Sequence, residues 1–163
     1  MKSFFIRAII STVMLGLLSF AVVVNADAAA IGIGKEAYGF TLETLTGEKI
    51  TLSTELKTKK VVLIFFTTWC PHCASSVPAA NAFYKEYGEK VRVIAIDIQE
   101  PKDKVKKFAK KTKMTYAVAV DSTGVIANRY GISGIPTIIA IGKNNKILYR
   151  GTSISSMEKR VEF

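Results

Sequence analysis

FFTTWCPHC, residues 65–73, holds the only two cysteines of this 163-residue chain, with its single histidine between them. Two thiols this close suit a metal clip, a haem attachment, a structural staple or a redox pair, and the neighbouring residues discriminate. Structural zinc takes four Cys or His ligands, whereas Cys70, His72 and Cys73 supply three at most, with His72 directed away from a site the thiolates would share. A c-type haem needs histidine directly after the second cysteine, where Ala74 stands. A disulfide closing so short a loop hardly restricts the unfolded chain, so a staple is of little use. Two thiolates can hold Cu(I), and copper transfer stands as an alternative from another class, although no distant histidine completes a site.

Working outward, VVLIFFT (Val61–Thr67) is a continuous apolar run with β-branched and aromatic residues, which predicts a central strand buried on both faces. It ends at the motif, and a helix begins near Cys70, with Pro71 suited to the first turn. Cys70 then sits at a helix N-terminus, where unpaired N–H groups and the helix dipole favour a thiolate. Cys73 lies one turn deeper, close enough to bond but less exposed. An outer nucleophile with a resolving thiol behind it is what thiol–disulfide exchange requires. His72, when protonated, adds positive charge beside the thiolate and makes the disulfide more oxidising.

The helix runs to Tyr87 and ends at Gly88, and Pro78 removes one hydrogen bond within it. FTLETLTGEKITLS predicts a hairpin of strands at about Phe40–Leu45 and Lys49–Leu52. VRVIAID (Val91–Asp97) is a second buried strand and Tyr116–Val120 a third. Asp121 is placed to cap a short helix reaching Tyr130. Thr137–Ile141 and Ile147–Gly151 form a closing hairpin, and Ser155 with Glu158 match a capping box for a short last helix ending by Phe163. Strand–helix–strand units followed by a hairpin predict a mixed central sheet with helices on both faces, an α/β fold.

The first thirty residues read differently. Lys2 and Arg7 precede an apolar run, Ala8–Val24, and then NADAAA, the pattern of a signal peptide cleaved after Ala26-Asp27-Ala28. The run is longer than a usual signal core and shorter than a comfortable membrane span, so an uncleaved N-terminal anchor is the alternative to a cleaved signal at 1–28. Either way the domain, residues 31–163, is exported, to the periplasm or the extracytoplasmic face of the membrane. Losing Lys2, Arg7 and Asp27 takes the formal charge from +10 to +9. Much of it lies in Pro101–Lys113, an amphipathic helix with Val105, Phe108, Ala109 and Thr112 on one face and lysines on the other. That face suits solvent or weak contact with an anionic surface. Nothing in the chain points to nucleic acid.

TTWCPHC after a buried strand, with GIPT about sixty residues later before another strand, resembles the thioredoxin fold. The N-terminal GFTLETLTGEKITLS and the helix-plus-strand insertion at Pro101–Val120 are similar to the exported ResA/TlpA/CcmG-like branch, over about Gly34 to Thr152. The resemblance implies that Cys70 is the attacking cysteine and Cys73 the resolving one. It implies that Trp69 flanks the site, and that Pro136, after Ile135, is the cis-proline against which substrate backbone lies. Two carboxylates usual in such proteins are missing: Ile64 stands six residues before Cys70, and Ser76 three after Cys73. Glu43, Glu48 or water are then the candidates to take the Cys73 proton. Pro71-His72 also matches the dipeptide typical of the oxidant DsbA, without room for its inserted helical domain.

The expected activity is therefore thiol–disulfide oxidoreduction. Reduction of client disulfides, such as those of apocytochrome c, is the first direction, and dithiol oxidation by the same motif the alternative. The expected partners are client proteins and an upstream membrane thiol reductase. The resemblance implies no cofactor and no metal, and the protein is expected to be a monomer.

Overall fold

Every residue from Val61 to Phe66 is buried, and their alternation divides the molecule. Val62, Ile64 and Phe66 enter one core, while Val61, Leu63 and Phe65 enter the other, because successive strand residues point to opposite faces. This strand, β3 (Lys60–Phe66), is the middle of a five-stranded sheet in a computed structural model that describes residues 31–163. The expected signal lies outside the described residues. β4 (Val91–Ile98) and β5 (Ala117–Asp121) continue parallel on one side of β3. On the other side β6 (Thr137–Ile141) runs antiparallel to β3, and β7 (Ile147–Gly151) antiparallel to β6, giving the order β5-β4-β3-β6-β7. This is the mixed sheet of a thioredoxin-like fold.

Helices cover both faces. The first core receives α2 (Pro71–Tyr87), α3 (Lys102–Thr112) and α5 (Ile154–Glu158) through Ala80, Phe83, Val105, Ile154 and Met157. Burying side chains of this size stabilises by roughly 1.5–3 kcal/mol each relative to exposure. The second core receives α1 (Leu52–Glu55) and α4 (Val125–Arg129) through Leu52 and Ala127, together with Phe40 and Tyr130. The N-terminal hairpin, β1 (Thr41–Glu43) with β2 (Lys49–Thr51), is a separate small sheet. It covers the β5 edge through a bridge between Thr44 and Ala119 and the Leu45 amide donating to the Val118 carbonyl at 2.8 Å.

Three local expectations change. Leu52, read as the end of a strand, opens α1, because Thr51 stays extended and Leu52 turns into the second core. Asp121 is the last residue of β5 rather than a helix cap; Gly124 takes the cap position at φ 71°, while the Asp121 carboxylate still accepts from the Ala127 amide at 2.8 Å. The α5 cap is Ser153, not Ser155: its hydroxyl accepts from the Ser156 amide at 3.3 Å. Two residues of offset put Ser155 on the exposed face. Gly88 does end α2, in right-handed conformation, and a Cβ there would lie 2.6 Å from the Tyr84 carbonyl oxygen.

Candidate active site

Cys70 occupies the N-cap of α2, and Pro71 is the first helical residue. An extended N-cap leaves its side chain over the free amides of the first turn. Here the acceptor is sulfur: the Cys73 N–H donates to Cys70 Sγ at 3.1 Å. Proline at the first position costs nothing, since its missing N–H had no helical partner.

The two thiols are free, and both are buried, with 5% of Cys70 and 2% of Cys73 accessible. The expected contrast between an outer and an inner sulfur is therefore slight in side-chain exposure. It is clear in setting. Burial, then the hydrogen bond with Cys70, push the Cys73 thiol up to about 12, and a backbone hydrogen bond from Thr67 offsets this only in part.

The loop before β6 closes the site from the other side. The Ile135–Pro136 peptide is cis, Pro136 is buried, and the Ile135 carbonyl lies 3.8 Å from Cys70 Sγ. The cysteine motif and the Ile135–Pro136 loop, 65 residues apart in sequence, thus meet where Cys70 Sγ faces the Ile135 carbonyl. Trp69, 68% accessible, and the exposed Pro71 and His72 form the outer rim.

At the positions of the missing carboxylates, Ile64 is buried in the apolar core and the Ser76 hydroxyl donates back to the Cys73 carbonyl at 2.8 Å. Glu43 and Glu48 do not replace them. Glu43 pairs with Lys102 at 2.8 Å and Glu48 with Arg92 at 2.5 Å, both half-exposed on the hairpin, which packs against the β5 edge of the sheet.

The acids that do approach the motif are Asp97 and Glu100, which sequence reasoning missed. Asp97 is fully buried, beside Phe66 in the β3–β4 register. Glu100 accepts from both the amide and the hydroxyl of Thr68, the latter at 2.8 Å. Burial, then the Glu100 carboxylate, push Asp97 up to about 7. Burial also pushes Glu100 up, but Lys104, Thr68 and Asp97 outweigh it and hold it low, at about 2. The only hint in the sequence is an acid near the end of a strand that is apolar but for Arg92.

This geometry has known counterparts. The AhpC/TSA family matches residues 33–150. A thiol-disulfide oxidoreductase ResA from Bacillus anthracis is 37% identical over 145 residues, covering 87% of this chain and 83% of its own. A crystal structure from Chlorobium tepidum, designated a candidate thiol:disulfide interchange protein DsbE, superposes with a TM-score of 0.73 at 27% identity, covering 80% of this chain and 96% of its own. StoA from Bacillus subtilis superposes with a TM-score of 0.66 at 25% identity, over 77% and 97% of the two chains. With this fold, this cysteine pair and these relatives, the chain belongs to the AhpC/TSA family of thioredoxin-fold proteins, alongside the ResA thiol-disulfide oxidoreductases.

Proposed function

We propose that this chain is an exported thiol–disulfide oxidoreductase that reduces disulfides of envelope client proteins, such as apocytochrome c, through Cys70 and Cys73. The observation that carries the reading is the position of Cys70 Sγ, capped by the Cys73 amide at 3.1 Å and facing the Ile135 carbonyl at 3.8 Å. A sulfur at a helix N-terminus, accepting a backbone N–H, is well placed to carry negative charge.

In the dithiol protein the Cys70 thiolate attacks one sulfur of a client disulfide. That S–S bond breaks, the second client sulfur leaves and takes a proton, and a mixed disulfide joins Cys70 to the client. Cys73 then attacks Cys70 Sγ, losing its proton as it does so, and the client leaves as a dithiol. Two electrons pass from the protein to the client, and the Cys70–Cys73 disulfide remains for an upstream membrane thiol reductase to reduce. Ile135 and Pro136 form the bed for client backbone, and Trp69, Pro71 and His72 tune the exposed rim. The protein works as a monomer on the extracytoplasmic side. The lysines of α3 add weak contact with anionic surfaces, supported by the exposure of Lys106, Lys107, Lys110 and Lys111.

The deciding experiment equilibrates the protein with glutathione buffers and measures its reduction potential. A value near about −270 mV fits a reductant, whereas one near about −120 mV would replace client reduction by client oxidation. No acceleration of insulin reduction by dithiothreitol would remove catalysis altogether.

A further inference from the structure

Asp97 sits where the sheet meets the motif. Val91, Val93 and Ala95 of β4 share a core with Cys70 and Cys73, and strand alternation puts Asp97 on that same face. One carboxyl oxygen of Asp97 accepts from the Glu100 amide at 3.1 Å, and the other is buried without a donor. A buried oxygen in that condition is costly unless the acid is protonated and hydrogen-bonds to a neighbouring acceptor. The Glu100 carboxylate is that neighbour. Gln99, at φ 60°, turns the chain so that Glu100 folds back over Asp97 and beneath Thr68. Thr68 in turn belongs to the tight turn in which the Cys70 amide reaches the Thr67 carbonyl, at 3.4 Å.

We propose that Asp97 and Glu100 form a carboxyl–carboxylate clamp on Thr68 that positions the Trp69–Cys70 loop, and that ionisation of both acids releases it. The clamp regulates the site assigned above and rests on that reading for its effect on catalysis, though not for its existence. With Asp97 protonated, Glu100 is free to accept both Thr68 donors. Once Asp97 loses its proton, two carboxylates face each other with only Lys104, at 2.5 Å from Glu100, to offset them, and like charges at this range repel strongly away from water. Burial of Asp97 and its nearness to Glu100 place this step near neutrality. Asp97 and Glu100 are positioning residues, acting on Cys70 through Thr68.

Trp69, the only tryptophan, adjoins Thr68 and reports on the loop. The test follows its fluorescence from pH 5 to pH 9 in the oxidised full-length protein, where neither thiol titrates, and again in His72→Gln to remove the remaining titratable group of the motif. The expected result is one transition near neutrality, retained in His72→Gln and lost in Asp97→Asn, which keeps the acid-side spectrum. Glu100→Gln, which keeps the clamp testable if Asp97→Asn does not fold, should lose the same transition. In the reduced protein, kcat/KM for a disulfide peptide should fall by about tenfold across that pH step in wild type and not in Asp97→Asn. A flat fluorescence profile in wild type, or an unchanged transition in both acid variants, would overturn the clamp. An acid-dependent transition in a protein with no exchange activity would leave the clamp standing and remove the assigned function.

Discussion

Burial penalises a thiolate far more than a thiol, and at Cys73 this sets the order of events. With its thiol pushed up to about 12 by burial and by the hydrogen bond with Cys70, Cys73 stays protonated at pH 7. Iodoacetamide at neutral pH should therefore modify Cys70 and spare Cys73 in the folded dithiol protein, while urea makes both reactive; peptide mapping by mass reads the difference. The same asymmetry governs trapping. Cys73→Ala should accumulate mixed disulfides through Cys70, because nothing remains to release the client, and Cys70→Ala should accumulate several-fold fewer. Equal trapping on non-reducing gels would reverse or abolish the assigned roles.

At the scale of elements, legibility follows the range of the interaction. β3 was readable because Val61–Phe66 is apolar throughout, and the start of α2 because Cys70-Pro71 carries its own cap and first turn. The hairpins announced themselves through Gly47, at φ 90°, and the Gly142–Lys146 turn. α1 was hidden because four residues carry no period, and Leu52 suits a strand as well as a helix. Asp97 and Glu100 are hidden for another reason: the contact of Glu100 with Thr68, and of Asp97 with Glu100, depends on the β3–β4 register, which no local pattern encodes. At α5 the capping-box spacing points to Ser155, whereas the chemically equivalent Ser153 is the cap. That distinction can be measured. Ser153→Ala removes the acceptor for the Ser156 amide and should cost about 1 kcal/mol in urea unfolding. Ser155→Ala, on the exposed face, should stay within about 0.5 kcal/mol of wild type.

For the whole molecule, a buried acid beside the redox loop links conformational stability to pH. Asp97 has its folded-state value raised from 3.8 to about 7, so the native state holds a proton that the unfolded chain releases earlier. Its contribution is fully present below about pH 4 and is lost as pH rises toward 7. Glu100 acts oppositely: lowered from 4.5 to about 2, it contributes above about pH 4.5, and that contribution is lost as pH falls toward 2. Together the two acids favour a native state that is most stable in mild acid and yields stability toward neutrality. Asp97→Asn keeps the shape of the side chain and donates an N–H to Glu100, but carries no proton to lose. Its urea-unfolding free energy should lack the wild-type decline between about pH 4 and pH 7, leaving it more stable than wild type at pH 8 by about 2 kcal/mol, less than an isolated shift of this size gives because the pair shares its titration. Parallel pH profiles for the two proteins would mean that Asp97 enters the native state already ionised, and the link between this acid pair and stability would fail.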